Sequence, residues 1–234
     1  MYEMMQGKNS FVQKNNNRLV ILLHGIMKSS KKMQGLANFL KRNNFDILNI
    51  DYPSTKFPLE DLVEIIHTDI SRALELNYQK IYFIGFSMGG LLARAYLNKY
   101  RIENLANIVF IGTPNHGSEV ADFFNRFKFF RFIFGPAGQQ LVTNQDSFIH
   151  VLGSPYYEFG VIAGDFSVNL LLSKIIKKPN DGKVSVESTK LDGMKDHLVL
   201  STSHPFMIRN RKVWEYTLNF MLHSSFCPSE RSEA

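Results

Sequence analysis

A chain of 234 residues with 44% hydrophobic and 21% charged positions fits one mid-sized globular domain, and its 13% aromatic content excludes general disorder. The net charge of +6 is scattered along the chain rather than collected into one basic block, so nucleic acid is not an expected partner. The single cysteine, Cys227, excludes an intrachain disulfide and a cysteine-based metal cluster, and the sequence calls for no metal or other cofactor.

Residues 1–17 lack the apolar core and small-residue cleavage site of a secretory signal and read as a polar arm. Apolar runs such as LVILL at 19–23 fall far short of the roughly 18 residues that span a bilayer, so no transmembrane segment is expected. The expected location is the cytoplasm, although a secretion route that reads another signal would leave no mark here.

In chain order, short β-branched or aromatic runs at 19–24, 46–52, 80–84, 107–111, 159–163 and 197–201 predict six buried strands. Between them, apolar spacings of three and four predict helices over 32–42, 59–77, 88–100, 139–152 and 206–222. Strands alternating with helices imply crossover connections, a mostly parallel sheet and helices on both faces, a three-layer α/β architecture. The domain is expected over 18–223, with a flexible tail over 224–234. An inserted amphipathic helix is expected over 168–179.

The strongest chemical signal is Gly85-Phe86-Ser87-Met88-Gly89, a G-x-S-x-G that follows a predicted strand and opens a predicted helix. A nucleophile on so tight a turn takes a strained backbone, and flanking glycines allow close approach of other chain segments. The plainer alternative is a serine that merely caps the following helix. A serine hydroxyl needs a base, and the base needs an acid to fix its tautomer. Of the histidines after Ser87, His204 lies in STSHP, beyond the C-terminal end of the last strand, where open α/β sheets gather their ligands, whereas His197 begins that strand at the opposite edge. The acid belongs after the fifth strand, which leaves Asp165 and Asp181; Asp181, in the Asn-Asp-Gly turn of PNDGKVSVES, is favoured. The oxygen that becomes negative in acyl transfer needs fixed donors, for which the Met88 N–H at a helix start and the Ile26 N–H after the first strand are the candidates. His24 reads as a structural histidine that bonds loop carbonyls, or else as a substrate contact.

Residues 117–152 are long for a strand-to-helix connection and are read as a lid or pocket insertion. Within them FFNRFKFFRFIF, residues 123–134, holds seven phenylalanines and three basic residues with no acidic one. Phe123, Phe127, Phe130 and Phe134 would share one face of a continuous helix packed on the body. The rival reading is a lid or acyl pocket built with Phe127, Phe129, Phe130 and Phe132, which with Arg126, Lys128 and Arg131 would suit peripheral contact with an anionic membrane.

LLHGI, GFSMGG, FIGTPNHGS, NDGKVSVES and the His204 loop resemble the α/β-hydrolase superfamily, and within it the small bacterial lipase-like serine esterases; GTPNHGS is also similar to the lipase-type enzymes related to inositol deacylases. The resemblance covers about 18–222 and implies a minimal α/β-hydrolase fold. It implies a Ser87, Asp181, His204 triad that cleaves carboxylic esters of lipid or acyl substrates through an acyl-enzyme. Phe86 departs from the histidine that many relatives carry before the serine. An acyl-protein thioesterase would use the same residues, and a catalytically silent binding protein would keep the same fold.

Overall fold

In β1 (Arg18–Leu23), Leu19, Ile21 and Leu23 enter one apolar cluster while Val20 and Leu22 enter another, as expected of a strand covered on both faces. The computed structural model describes residues 12–144, 148–168 and 173–227, without the side chains of residues 130 and 131. Around β1 the chain adds β2 (Asp46–Ile50), β3 (Lys80–Phe86), β4 (Leu105–Ile111), β5 (Phe159–Gly164) and β6 (Asp196–Leu200). Every neighbouring pair is parallel, in the order β2-β1-β3-β4-β5-β6. The order reverses between β1 and β3, which opens a crevice at the carboxyl ends of those two strands. Both β2 and β6 are edges, but β2 is buried by apolar neighbours on both faces, whereas β6, expected to be buried, is half-exposed.

The helices include α1 (Gln34–Arg42), α2 (Leu59–Leu74), α3 (Met88–Lys99), α4 (Glu119–Asn125), α5 (Lys128–Gln139), α6 (Phe148–Val151), α7 (Val186–Thr189), α8 (His204–Met207) and α9 (Arg211–His223). In α2 the buried residues Leu59, Leu62, Val63, Ile66, Ile70 and Ala73 recur at helical spacing, with Glu60 and Asp61 in the first turn, where the helix dipole favours anions. With α3 it covers the sheet face of Ile21 and Phe83, whereas Leu36 and Leu40 of α1 and Val213 and Phe220 of α9 cover the face of Val20 and Ile84. Among the described residues no helix is long and apolar enough to cross a membrane.

Two expectations fail between β4 and β5. The helix expected over 139–152 is absent as such: α5 ends at Gln139, residues 140–144 are not helical, and α6 covers only Phe148–Val151. The Phe-rich segment is also not one helix, since Phe127 is extended (φ −100°, ψ 123°) between α4 and α5. A second break falls at Gly135 (φ 64°, ψ −167°) before Pro136, which supplies no N–H and disfavours helical backbone in the residue ahead of it. A side chain at Gly135 would collide with the Thr55 carbonyl, so the kink is seated against the body. The face expected from Phe123, Phe127 and Phe134 is therefore dismantled, and Phe123 and Phe127 are exposed.

The tail also begins later than expected. Phe226 is fully buried against Phe220 at 4.9 Å, and its N–H donates to Asp196 at 2.8 Å. The aromatic ring overrides the polar residues around it. At the other end, Asp46 accepts from the Asn15 and Asn16 N–H groups, the Asn16 amide and the Tyr78 hydroxyl. Burial opposes the Asp46 charge, but these donors outweigh it and hold its carboxyl below the usual range. Of the helix expected over 168–179, residues 169–172 lie outside the described residues, and the expectation fails over 174–179, which run as turns and bends into Pro179, a residue with no N–H to continue a helix.

Candidate active site

Ser87 sits between β3 and α3 with φ 55° and ψ −126°, a conformation that costs about 1–3 kcal/mol and persists only where its surroundings impose it. Those surroundings are tight. A Cβ at Gly85 would lie 2.3 Å from Gly90 Cα, one at Gly89 2.2 Å from the Leu23 carbonyl oxygen, and one at Gly90 2.0 Å from Thr113 Oγ1. The Ser87 N–H donates to the Ile111 carbonyl at 2.8 Å, which ties the turn to β4. Its side chain makes no helix-capping bond, so the capping alternative fails.

Instead Ser87 Oγ lies 3.0 Å from His204 Nε2, and His204 Nδ1 lies 2.7 Å from Asp181 Oδ2. His204 and Asp181 are buried. Asp181 Oδ1 accepts from the Lys183 and Val184 N–H groups at 2.9 and 2.8 Å, and the Asp181 carbonyl accepts the His204 N–H at 3.0 Å. With Oδ1 so engaged, Oδ2 is left for the imidazole, which fixes the proton on Nδ1 and turns a lone pair on Nε2 toward the serine. The ring of Phe86 packs on that imidazole at 5.1 Å. Asp165, the other acid considered, is exposed after β5, and Gly164 beside it would with a Cβ crowd Asp181 at 2.9 Å.

The acid turn is held from several sides. Asn180 accepts from the Gly182 N–H and the Ser173 hydroxyl, and its amide donates to the carbonyls of Ser173, Ile176 and Lys177. The Ser118 hydroxyl donates to the Lys183 carbonyl at 2.8 Å, and the Asn115 amide donates to the Thr189 carbonyl at 2.7 Å. Arg94 of α3, buried, donates to the Asn115 carbonyl and side-chain oxygen and to the Gly153 carbonyl. The GTPNHGS stretch thus joins α3 to the acid turn, a function that Arg94 completes and that no local sequence signal revealed.

Gly25 brings the loop after β1 against the serine, since a Cβ there would lie 3.1 Å from Ser87 Cβ. Ile26, the next residue, lines a cavity of about 520 Å³ that also contains Ser87 and His204. Met88 is buried at the first turn of α3, where helix N–H groups have no partner within the helix. His24 donates from Nδ1 to the Gly25 carbonyl at 2.9 Å, accepts the Tyr52 N–H on Nε2, and stacks on the Tyr52 ring at 4.0 Å. Burial lowers its pKa, so it stays neutral and structural.

The profile of the alpha/beta hydrolase fold family matches residues 18–150 of this sequence. The chain belongs to the α/β-hydrolase fold family. Palmitoyl-protein thioesterase 3 of Dictyostelium discoideum is 26% identical over 119 residues, a match that spans 46% of this hydrolase-fold chain but only 39% of that protein's length. Among solved structures, the mature Bacillus licheniformis lipase BlEst2 superposes with a TM-score of 0.70 at 17% identity, over 91% of this chain and 94% of the lipase. The metagenomic carboxyl esterase MGS0156 gives 0.64 at 15% identity, over 82% of this chain and 65% of the esterase. At such identities these two likenesses are of fold alone.

The cavity wall of this hydrolase-fold chain differs from the expected one. Phe124 and Phe134 line it, with Val120, Ala121 and Leu141, whereas Phe127, Phe129 and Phe132 do not. Phe129 and Phe132 are 74% and 86% exposed, because α5 turns only its Phe134 end inward. The Phe130 side chain lies outside the described residues.

Proposed function

We propose that this protein is a serine hydrolase of carboxylic esters, with Ser87 as nucleophile, His204 as base and Asp181 as the acid that orients it. The hydrogen-bonded chain from Asp181 through His204 to Ser87, at 2.7 and 3.0 Å, carries the reading. Ser87 Oγ attacks the ester carbonyl carbon as its proton passes to His204 Nε2. The oxygen that gains charge is received by the Met88 and Ile26 N–H groups. Collapse breaks the bond to the leaving alcohol, which takes the proton from His204, and the acyl group stays on Ser87. Water, deprotonated by His204, then attacks the acyl-enzyme, releases the carboxylic acid and returns the proton to Ser87. Ester and water in, acid and alcohol out, balance without a cofactor.

The apolar wall of Phe124, Phe134, Val120 and Leu141 supports an acyl chain as the part bound. We assign residues 117–152 to this wall and to a lid whose outward rings, Phe129 and Phe132, meet a lipid surface beside Arg126 and Lys128. The names of the compared proteins, a lipase, a carboxyl esterase and a palmitoyl-protein thioesterase, agree with acyl substrates. The same machinery serves a thioester.

A fluorophosphonate probe should label Ser87, and Ser87→Ala should lose labelling and at least 99% of p-nitrophenyl butyrate turnover while melting within a few degrees of the parent. A folded parent that is neither labelled nor active on esters or thioesters would make the chain a silent binding protein of this fold.

A further inference from the structure

The cavity beside Ser87 has an apolar interior and a cationic rim. Lys28 and Lys32 from the segment after β1, Lys183 from the acid turn, and Arg209 after α8 all line it, and no aspartate or glutamate does. Elsewhere on the surface some cations form ion pairs, Lys99 with Glu64 at 2.7 Å, Lys190 with Glu187 at 2.7 Å, Lys195 with Glu158 at 3.2 Å and Arg211 with Glu215 at 3.0 Å, whereas others such as Lys41, Lys56 and Lys80 form none among the described residues. What sets the rim apart is four cations converging on one opening without an acid among its lining residues. Among the described residues none of the four rim cations has an acidic partner within ion-pair distance. Lys183 reaches solvent yet is walled closely enough that desolvation, with repulsion from Lys28, outweighs the attraction of Asp181 and lowers its ammonium pKa. Like charges gathered from three separate chain segments and left unpaired at one opening oppose each other in the free protein, and an anion would relieve them.

We infer that the cavity selects acyl esters or thioesters whose leaving group carries a phosphate, held by Lys28, Lys32, Lys183 and Arg209. This deepens the proposed hydrolysis and rests on it for the bond that is cut; the phosphate itself is not transferred. Lys183 and Arg209 lie close in sequence to Asp181 and His204, and His204 hands its proton to the departing group, so the anion belongs on the leaving-group side. The acyl chain then takes the wall of Phe124, Phe134 and Leu141. Two sources share this chemistry, an acylglycerol phosphate and an acyl-coenzyme A.

The test uses octanoyl compounds. Binding of octanoylglycerol phosphate and of neutral octanoylglycerol to the Ser87→Ala protein is compared, as is binding of octanoyl-coenzyme A and of its neutral octanoyl-pantetheine counterpart; the parent's kcat/KM is compared over the same pairs. At 20 mM salt, one phosphate-bearing member should be favoured at least tenfold, and the preference should shrink several-fold at 300 mM salt, as a screened attraction must. The pair that shows it identifies the source. Lys28→Gln and Arg209→Gln should each reduce the ratio about fivefold, Lys28→Arg should restore it, and Lys99→Gln, remote from the cavity, should leave it unchanged. Equal binding within each pair would overturn the inference even if esters are cleaved. Preferential binding with no turnover by the parent would keep the anion site and overturn the hydrolytic reading.

Discussion

Replacing Asp181 with Asn tests the proposed role of the buried acid at nearly constant shape. In the parent, Oδ1 accepts two backbone N–H bonds at 2.9 and 2.8 Å, while Oδ2 faces His204 Nδ1 at 2.7 Å. Two donors fix how the amide must sit: its oxygen takes the Oδ1 position, and its NH₂ points at the imidazole. His204 Nδ1 must then accept, so the ring proton moves to Nε2 and is donated toward Ser87, the reverse of what a base requires. The loss should be about 10⁴ in kcat, or roughly 5.5 kcal/mol of transition-state stabilisation. The retained backbone bonds limit the stability cost to about 1–3 kcal/mol, so Tm should fall modestly. Steady-state hydrolysis of p-nitrophenyl butyrate, with calorimetry on the same preparations, measures both. Exposed Asp165, changed to Asn, should alter kcat less than twofold. If Asp181→Asn kept more than a tenth of the parent kcat with an unchanged melt, the assigned acid would be wrong.

Truncating Phe226 to Ala should cost about 3 kcal/mol and lower Tm by roughly 6–12 °C, measurable by calorimetry, because a buried ring packed at a tilt against Phe220 is lost from a filled core; a shift under 2 °C would return that residue to the tail. Burial lowers the pKa of His24, His116 and His197, so the unfolded chain binds protons more readily than the folded one as pH falls below about 6.5. Stability should therefore decline on acidification from pH 7 to pH 5, and denaturant midpoints for His116→Asn should show a shallower decline than the parent. Changing Phe129 and Phe132 together to Ser should cut activity on aggregated long-chain esters several-fold while sparing soluble short-chain ones, since both rings face outward; equal losses on both, with an early melt, would make them packing residues.

The strands were legible because each buried run is short, β-branched and bounded by turn residues, and the serine because its glycines have a steric reason that survives in any chain of this topology. Asp181 was distinguishable from Asp165 by its Asn-Asp-Gly turn, which feeds an acid back toward the last strand. The Phe-rich stretch misled because phenylalanine spacing resembles a helical face when the chain is assumed continuous. Gly135-Pro136 was the readable warning, while the extended Phe127 carried no signal of its own. Phe226 was hidden by polar neighbours, a case of one large ring outweighing local composition. Arg94 and the cationic rim could not be foreseen, since both depend on residues brought together across the sheet.

The mooring of the acid turn has a consequence for how this chain can change length. Asn180 binds the carbonyls just before it, Lys183 is caught by Ser118, and Asp181 and His204 are joined through their backbones as well as their side chains. The position of the carboxylate is therefore insulated from the exposed turn at 192–195, which lies between Asp181 and His204 in sequence. Doubling that span would cost only about 0.6 kcal/mol in loop-closure entropy. Residues can enter or leave at this exposed turn while the backbone and side-chain bonds from Asp181 to His204 hold the carboxylate in place, so it is where a tag or a foreign helix should be spliced in.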